Sequence, residues 1–268
     1  FKLIGYKNAS NLGAKLGSIL GPLFRSRKLI INNIKNSFPN ITDKEINNLI
    51  KKMWKNYGRI FSDYVYIDQF RSKKLEKYIV VNGIEILEKI KNEGKPVVFI
   101  SGHFNNFELM AMKIELSGIN LSAVYRPLNN IFLNRTMENL RKNYICKNQI
   151  KKGLGGVREI IKAFSQNISI ALMIDQRVTE GEKSILFKKS TYTTTIPAQL
   201  IKKYKCPVVP IYIQRSNDIF FDMSVEKPIY FSENDDVKSI TLKLNNWLES
   251  KISINPDQWI WTHNKWKL

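Results

Sequence analysis

The run Pro96-Val97-Val98-Phe99-Ile100-Ser101-Gly102-His103-Phe104-Asn105-Asn106-Phe107-Glu108 decides the fold class of this chain. Val97 to Ile100 are apolar without alternation, so a strand formed there has no solvent face and belongs inside a sheet covered on both sides. The polar break Gly102-His103 follows at once, and the segment FELMAMKIELSG (107–118) returns to a helical pattern. On the upstream side IEILEKIKNEG (84–94) reads as a helix stopped by Gly94, with Lys95-Pro96 leading into the strand.

The same texture continues along the chain. LSAVY (121–125), ISIALMI (168–174), CPVVPIYIQ (206–214) and DIFFDMSVE (218–226) are further strand candidates. FLNRTMENLRKN, GVREIIKAFSQN and TTIPAQLIKKYK carry helical patterns between them. This alternation predicts an α/β domain with a mainly parallel central sheet and helices on both faces. Ligands of such sheets gather beyond the carboxyl ends of the strands, where both SGHFNNFE and IDQR fall. We expect one continuous α/β core over residues 81–268 and a helical arm over residues 1–80.

Within the arm, Leu12, Leu16, Ile19, Leu20 and Leu23 recur at helical spacing among Gly13, Gly17 and Gly21, and Arg25, Arg27 and Lys28 follow. An apolar stripe ending in cations suits an anionic bilayer surface, and it equally suits a helix packed on the domain. Thr42-Asp43-Lys44-Glu45 is a capping box with Ile41 and Ile46 at the staple positions. Ile46, Leu49, Ile50, Met53, Tyr57 and Ile60 then line one face of a helix to about residue 61.

Composition narrows the function classes. Forty-three Lys and Arg against twenty-three Asp and Glu give a net charge of +20, which favours polyanionic partners: nucleic acid, acidic protein or anionic membrane. Neither a helix-turn-helix nor a zinc-finger pattern supports the first. Cys146 and Cys206 are far apart and make no ligand cluster, so neither a disulfide framework nor a metal site is expected. No run of about 18 apolar residues marks a membrane-spanning helix. The chain opens at Phe1, and a signal anchor upstream of it is compatible with that start.

The chain has two histidines, and His103 precedes Glu108 by five residues. On one continuous helix such a pair diverges by about 140°. The two converge if His103 lies in the turn and the helix begins at Asn105 or Asn106, a residue type favoured as N-cap. Glu108 would then accept from the second imidazole nitrogen, fix the tautomer and support a general base. An ordinary strand-to-helix corner has the same spacing. No Gly-x-Ser-x-Gly elbow or cysteine nucleophile accompanies the pair, which favours direct activation of a substrate hydroxyl.

SGHFNNFE resembles the GHxxNxE block of the bacterial lipid A biosynthesis acyltransferases, the late lauroyl and myristoyl transferases within the H-x4-D/E glycerolipid acyltransferases. Further blocks follow in that family's order: AVYRPLNNIFLNR, GGVREIIKAFSQNISIALMIDQR, TTTIPAQLIKKYKCPVVPIYIQR and NPDQWIWTHNKWK. The resemblance covers roughly residues 10–268. It departs at Asn105, where many members have glycine, at Phe107, where they have tryptophan, and at Phe187-Lys188-Lys189, where they have Phe-Phe-Gly.

The resemblance implies an O-acyltransferase that needs no cofactor. His103 would be the general base and Glu108 its orienting partner, with Asn106 a candidate oxyanion donor. Arg126, Asp175, Gln176 and Arg177 would contact substrate, the arginines through phosphate or phosphopantetheine and Asp175 by orienting a neighbouring basic group. The donor is an acyl carrier protein or acyl-CoA thioester. The acceptor is a phosphorylated glycolipid such as a lipid A precursor, or another lipid: a lysophospholipid, an ornithine lipid or another glycolipid. The expected place is the cytoplasmic face of the bacterial inner membrane, against its anionic surface. A basic nucleic-acid-binding protein with an accidental His/Glu pair is the reading from another class. His263, between tryptophans in WTHNKWK, is expected to be structural, and Trp259, Trp261 and Trp266 to pack in the core.

Overall fold

A computed structural model describes residues 1–179 and 181–267. Four helices come first: α1 (Tyr6–Leu20), α2 (Arg27–Ser37), α3 (Asp43–Val65) and α4 (Ile67–Arg71). The chain then alternates: β1 (Ile79–Asn82), α5 (Ile84–Glu93), β2 (Val98–Ser101), α6 (Glu108–Leu116), β3 (Leu121–Tyr125), α7 (Ile131–Tyr144), β4 (Asn148–Lys151), α8 (Leu154–Ser165) and β5 (Ser169–Met173). A hairpin of β6 (Glu182–Leu186) and β7 (Lys189–Thr193) precedes α9 (Ile196–Tyr204), β8 (Val208–Ser216), β9 (Phe220–Val225) and α10 (Val237–Ile254).

The fold is α/β, as expected. Seven strands form the sheet β1-β9-β8-β2-β5-β3-β4, and every pairing is parallel except β8 with β9. The five expected strands are all present. The sequence reading did not mark β1, β4, the β6–β7 hairpin or α10. The first two are four-residue edge strands, and β4 (NQIK) carries little apolar signal. The hairpin turns on Phe187 and Lys188, both with positive φ (52° and 58°), where asparagine and glycine are the usual residues. That turn is one of the three places where the chain departs from the family pattern. Phe187 is held by burial against Phe38 and Trp266.

The capping box at Thr42 forms as read: the Thr42 amide donates to Glu45 Oε2 at 2.8 Å, and the Glu45 amide to Thr42 Oγ1 at 3.3 Å. Its helix runs on to Val65, four residues past the expected end.

The N-terminal arm resolves its two readings in an unexpected way. α1 buries its small residues, Ala9, Ser10, Gly13 and Ala14, and turns Leu12, Leu16, Ile19 and Leu20 outward. Ile19 is 68% exposed, and Leu23 and Phe24 just beyond it are 79% and 76% exposed. The glycines are the reason. A Cβ on Gly58 of α3 would lie 1.9 Å from the Gly13 carbonyl oxygen, and one on Gly17 would lie 2.4 Å from that of Trp54. The two backbones are in contact, an approach that only glycine permits. The helix packs by its small face and presents its leucine stripe to the exterior. Among the described residues no helix is long and apolar enough to cross a membrane.

A buried polar network fastens this arm to the sheet. Asp63 at the end of α3 receives Arg215 Nη2 of β8 at 2.5 Å, the Tyr6 hydroxyl of α1 at 2.9 Å and Asn106 Nδ2 at 3.3 Å. Arg59 pairs with Asp218 at 2.8 Å and donates to Ser10 and Asn11. The helices and the sheet share one continuous hydrophobic core.

Replacing Gly58 by valine forces α1 and α3 apart. We expect a loss at the upper end of about 1–3 kcal/mol, or beyond it, in chemical denaturation. At Gly94, a helix C-terminus whose Cβ position is open, alanine should cost about 1 kcal/mol, from the φ of 63° alone. Equal effects at the two sites would contradict the helix contact.

Candidate active site

Strand register builds the centre of the site. β2 and β5 are parallel neighbours with Ser101 opposite Met173, and the Ile174 amide donates to the Ser101 carbonyl at 2.9 Å. Two residues further along each chain, His103 and Asp175 stand side by side. Asp175 Oδ1 meets His103 Nδ1 at 2.7 Å, and Oδ2 accepts the His103 backbone N–H at 2.6 Å. Gly102 leaves room for this: a Cβ there would sit 3.2 Å from Asp175 Oδ2 and 2.8 Å from Leu248.

Asp175 is completely buried. Burial alone would raise its carboxyl, but the adjoining His103 charge and the hydrogen bonds from His103 and from Trp259 Nε1 (2.9 Å) outweigh that and bring it down to about 2. A carboxyl lowered on folding contributes stability that is complete above its unfolded value near 4 and is lost as pH falls through about 2. Asp175 is therefore a carboxylate at neutral pH. It takes the proton-bearing Nδ1 of His103 and leaves Nε2 as the basic nitrogen. Gln176 Nε2 lies 3.3 Å from that Nε2, and the Phe107 ring packs edge-on against the imidazole at 4.7 Å. The His103 side chain is 16% exposed, so the ring has an opening to solvent.

The expected contact between Glu108 and His103 is not formed, and this corrects the reading from spacing. Glu108 is the first residue of α6, and its Oε1 is held by Arg141 Nη2 of α7 at 2.6 Å and the Tyr64 hydroxyl of α3 at 2.9 Å. Burial lowers the tendency of Arg141 to stay charged, yet Glu108 beside it more than compensates and holds it above its ordinary value. The Tyr64 hydroxyl, buried and next to the Glu108 charge, is pushed well above its own. Register places Asp175 against His103 before the chain reaches the helix, so the imidazole has its carboxylate without Glu108.

Asn105 has φ 43° and is buried. That left-handed conformation explains why glycine suits this position and why asparagine can replace it. Its amide spans Asn56 Oδ1 of α3 at 2.8 Å and Gln258 Oε1 at 2.9 Å, while its own Oδ1 accepts the Asn106 backbone N–H at 2.7 Å. Asn106 is fully buried and braces the turn through Asp63; its expected position facing an oxyanion is not the one it takes.

The C-terminal segment straps the site from outside. His263 Nε2 accepts the Arg177 backbone N–H at 2.9 Å, and burial lowers its imidazole to about 4, so it is a neutral acceptor. The Arg177 Nε donates to the Lys267 carbonyl at 2.5 Å. Trp259 and Trp261 are buried as expected, but Trp259 also orients Asp175, a role its sequence does not signal. Arg141 was likewise unmarked, since an arginine in a charged helix looks like any solvated residue. Arg126 lies exposed beyond β3. Burial raises the Cys146 and Cys206 thiols to about 12 and about 11, which removes both as thiolate nucleophiles. Among the described residues no cluster of ligand side chains could hold a metal ion.

A buried carboxylate on an imidazole at the carboxyl ends of a parallel sheet is an arrangement that can support proton transfer by histidine. Comparison with known sequences narrows this: residues 1–268 match the family described as bacterial lipid A biosynthesis acyltransferase, and the chain belongs to that family. It is similar to lipid A biosynthesis acyltransferase 2 of Shigella flexneri, at 21% identity over 92% of this chain and 80% of the relative. The lipid A biosynthesis lauroyltransferase of Escherichia coli K12 is 23% identical over 96% of this chain and 84% of its own. The myristoyltransferase of the same organism is 20% identical over 92% and 77%. The chain is accordingly an acyltransferase of lipid A biosynthesis.

Asp175→Asn and Glu108→Gln separate the two carboxylates. Asp175→Asn should lower kcat by about a hundredfold or more through the wrong tautomer. Glu108→Gln, which removes a contact joining α3, α6 and α7, should lower kcat by about tenfold or less. A larger loss in Glu108→Gln than in Asp175→Asn would return the orienting role to Glu108.

Proposed function

We propose that this acyltransferase moves a fatty acyl chain from the thioester of an acyl carrier protein, or of coenzyme A, to a hydroxyl of a phosphorylated glycolipid of the lipid A precursor class. One observation carries the mechanism: the partly exposed His103 has Nδ1 held by the buried Asp175 carboxylate, which leaves Nε2, within 3.3 Å of the Gln176 amide, as the basic nitrogen. Nε2 takes the proton of the acceptor hydroxyl as its oxygen attacks the thioester carbonyl. The tetrahedral oxyanion collapses, the carbon–sulfur bond breaks, and the imidazolium returns the proton to the leaving sulfur. An ester and a free thiol result, and His103 is again neutral. Asp175 stabilises the imidazolium between the two steps. Glu108 acts one layer out, fixing Arg141 and so α7 against α6.

Residues 1–80 fit an arm that rests on the cytoplasmic face of the inner membrane. The outward Leu12, Leu16, Ile19, Leu20, Leu23 and Phe24, followed by Arg25, Arg27 and Lys28, support this reading. Such a surface combines apolar burial with attraction to anionic headgroups. It also brings a lipid acceptor to the edge of the site, because α3 touches the catalytic turn through Asn56, Asp63 and Tyr64.

Labelled acyl carrier protein incubated with a panel of lipid acceptors, and mass spectrometry of the products, tests the assignment. A lipid A precursor should gain one acyl chain. His103→Ala should lose about a thousandfold in turnover while staying folded, with a melting temperature lowered by loss of the Asp175 contact, and full turnover in that variant would overturn the mechanism.

A further inference from the structure

Helix α7 opens on an apolar tip that the chemistry so far described does not use. Ile131, Phe132 and Leu133 are its first three residues and are 73%, 79% and 59% exposed, and no residue of the helix is buried. Side-chain contacts fix where this tip stands. The Tyr125 hydroxyl, at the end of β3, donates to Glu138 Oε1 at 2.6 Å. Cys146 Sγ, just past α7, donates to the Leu121 carbonyl at the start of β3 at 3.4 Å. Leu121 to Tyr125 covers about 13 Å of strand, and Glu138 to Cys146 about 12 Å of helix. The lengths match, so α7 runs beside β3 in the opposite direction, with Glu138 level with the end of the strand. Residues 131–137 therefore project about 10 Å past the sheet. They do so at the end from which His103 and Asp175 extend, because β2, β5 and β3 are parallel. Arg141 Nη2 on Glu108 at 2.6 Å ties α7 to the start of α6 at that same end.

The tip is built to lose water. Asn130 Oδ1 accepts the Phe132 and Leu133 amides at 3.0 and 3.1 Å, and Asn134 Oδ1 accepts the Leu128 amide at 2.8 Å. Donors that a helix start ordinarily leaves to solvent are thus satisfied internally, which an apolar medium demands. Three consecutive residues spread over about 200° of the helix. A groove on another protein takes an apolar stripe at i, i+3 and i+4. Here Ile131 is followed at those places by Asn134 and Arg135, and Phe132 by Arg135 and Thr136. An end that is apolar on most sides suits a medium that surrounds it, which is hydrocarbon. Arg135 is exposed one turn behind, and no acidic residue occurs from Leu116 to Met137. An apolar end with a cation behind it matches the layering of an anionic bilayer, acyl chains first and negative headgroups above them.

We propose that the tip of α7 inserts among the lipids of an anionic bilayer and forms a membrane contact separate from the leucine stripe of α1. Insertion itself does not depend on the reaction. Its purpose rests on the acyl-transfer reading, because the contact holds the His103 end of the sheet against the surface that contains a lipid acceptor.

Thiol labelling reads the insertion directly. Cys146 and Cys206 are buried, so an environment-sensitive fluorophore goes to the cysteine introduced as Phe132→Cys. Ile84→Cys is the control. Ile84 is also exposed, but it follows β1 at the opposite end of the sheet, since β1 runs with β9, and β9 runs against β8 and β2. With vesicles of phosphatidylethanolamine and phosphatidylglycerol, the label at 132 should shift to the blue and be quenched by nitroxide-bearing acyl chains. The label at 84 should do neither. Phe132→Ser should lower partitioning to these vesicles about tenfold, and Ile84→Ser should leave it in place. Arg135→Gln should lower it about fivefold on these vesicles and leave partitioning to phosphatidylcholine alone unchanged. Thermal melts verify that each variant is folded.

A label at 132 that stays in water on vesicle-bound protein overturns the proposal, as does undiminished partitioning of Phe132→Ser. A blue shift produced without lipid, by added acyl carrier protein or by raising the protein concentration, would make the tip a protein-docking surface and overturn it as well. In turnover, Phe132→Ser should raise KM for an acceptor embedded in vesicles about tenfold with kcat unchanged, and a short-chain acceptor free in solution should be used as by wild type. Failure of the wild type to acylate any acceptor would overturn the acyl-transfer reading alone, because the fluorescence result does not require turnover.

Discussion

The site depends on a carboxylate with no access to water. Asp175 is buried, and a buried carboxylate must be satisfied by donors or it takes up a proton. Here the donors are the imidazole and backbone amide of His103 and the indole of Trp259. They come from the turn beyond β2 and from the C-terminal strap. Each of these segments is held by packing that has nothing to do with chemistry. The carboxylate therefore ties the turn at His103 to the end of the chain, and the imidazole inherits one tautomer and one orientation from the sheet.

The turn is braced from a second direction. α3 supplies Asn56 to Asn105, Asp63 to Asn106 and Tyr64 to Glu108, three contacts from one helix to three of the four positions 105–108. Asp63 is in turn paired with Arg215 inside the protein. A buried pair of this kind adds little net stability, but loss of one partner strands the other, at a cost of about 3–5 kcal/mol. Its value here is geometric. The helix whose glycines receive α1 is the same helix that sets the position of the residues around His103, so the outward leucine face of α1 and the opening of the site have a fixed relation.

Much of this was legible in the residues. Doubly covered strands declare themselves by unbroken apolar runs, and the capping box at Thr42 by its four letters, because both signals are local. Of the three strap tryptophans read as core, Trp259 and Trp261 are buried and Trp266 packs half-buried against them. The hairpin at Phe187-Lys188 was hidden because its positive φ values are imposed by the burial of Phe187 and not by the residue types a turn usually shows. The face of α1 was ambiguous for a related reason. Leucines at helical spacing ordinarily point to the core, but the glycines beside them allow a contact so close that the leucines are excluded from it.

By itself the sequence determined the fold class, the presence of His103 in a turn at a strand end, and the family to which the chain belongs. These rest on periodicity and on ordered blocks, which are properties of neighbouring residues. Only the tertiary structure decided which carboxylate serves His103. Asp175 is 72 positions away in the chain. It becomes adjacent because β2 and β5 pair in one register, whereas Glu108, five positions away, is taken by α3 and α7. Proximity along the chain suggested one partner, and hydrogen bonding between strands supplied the other.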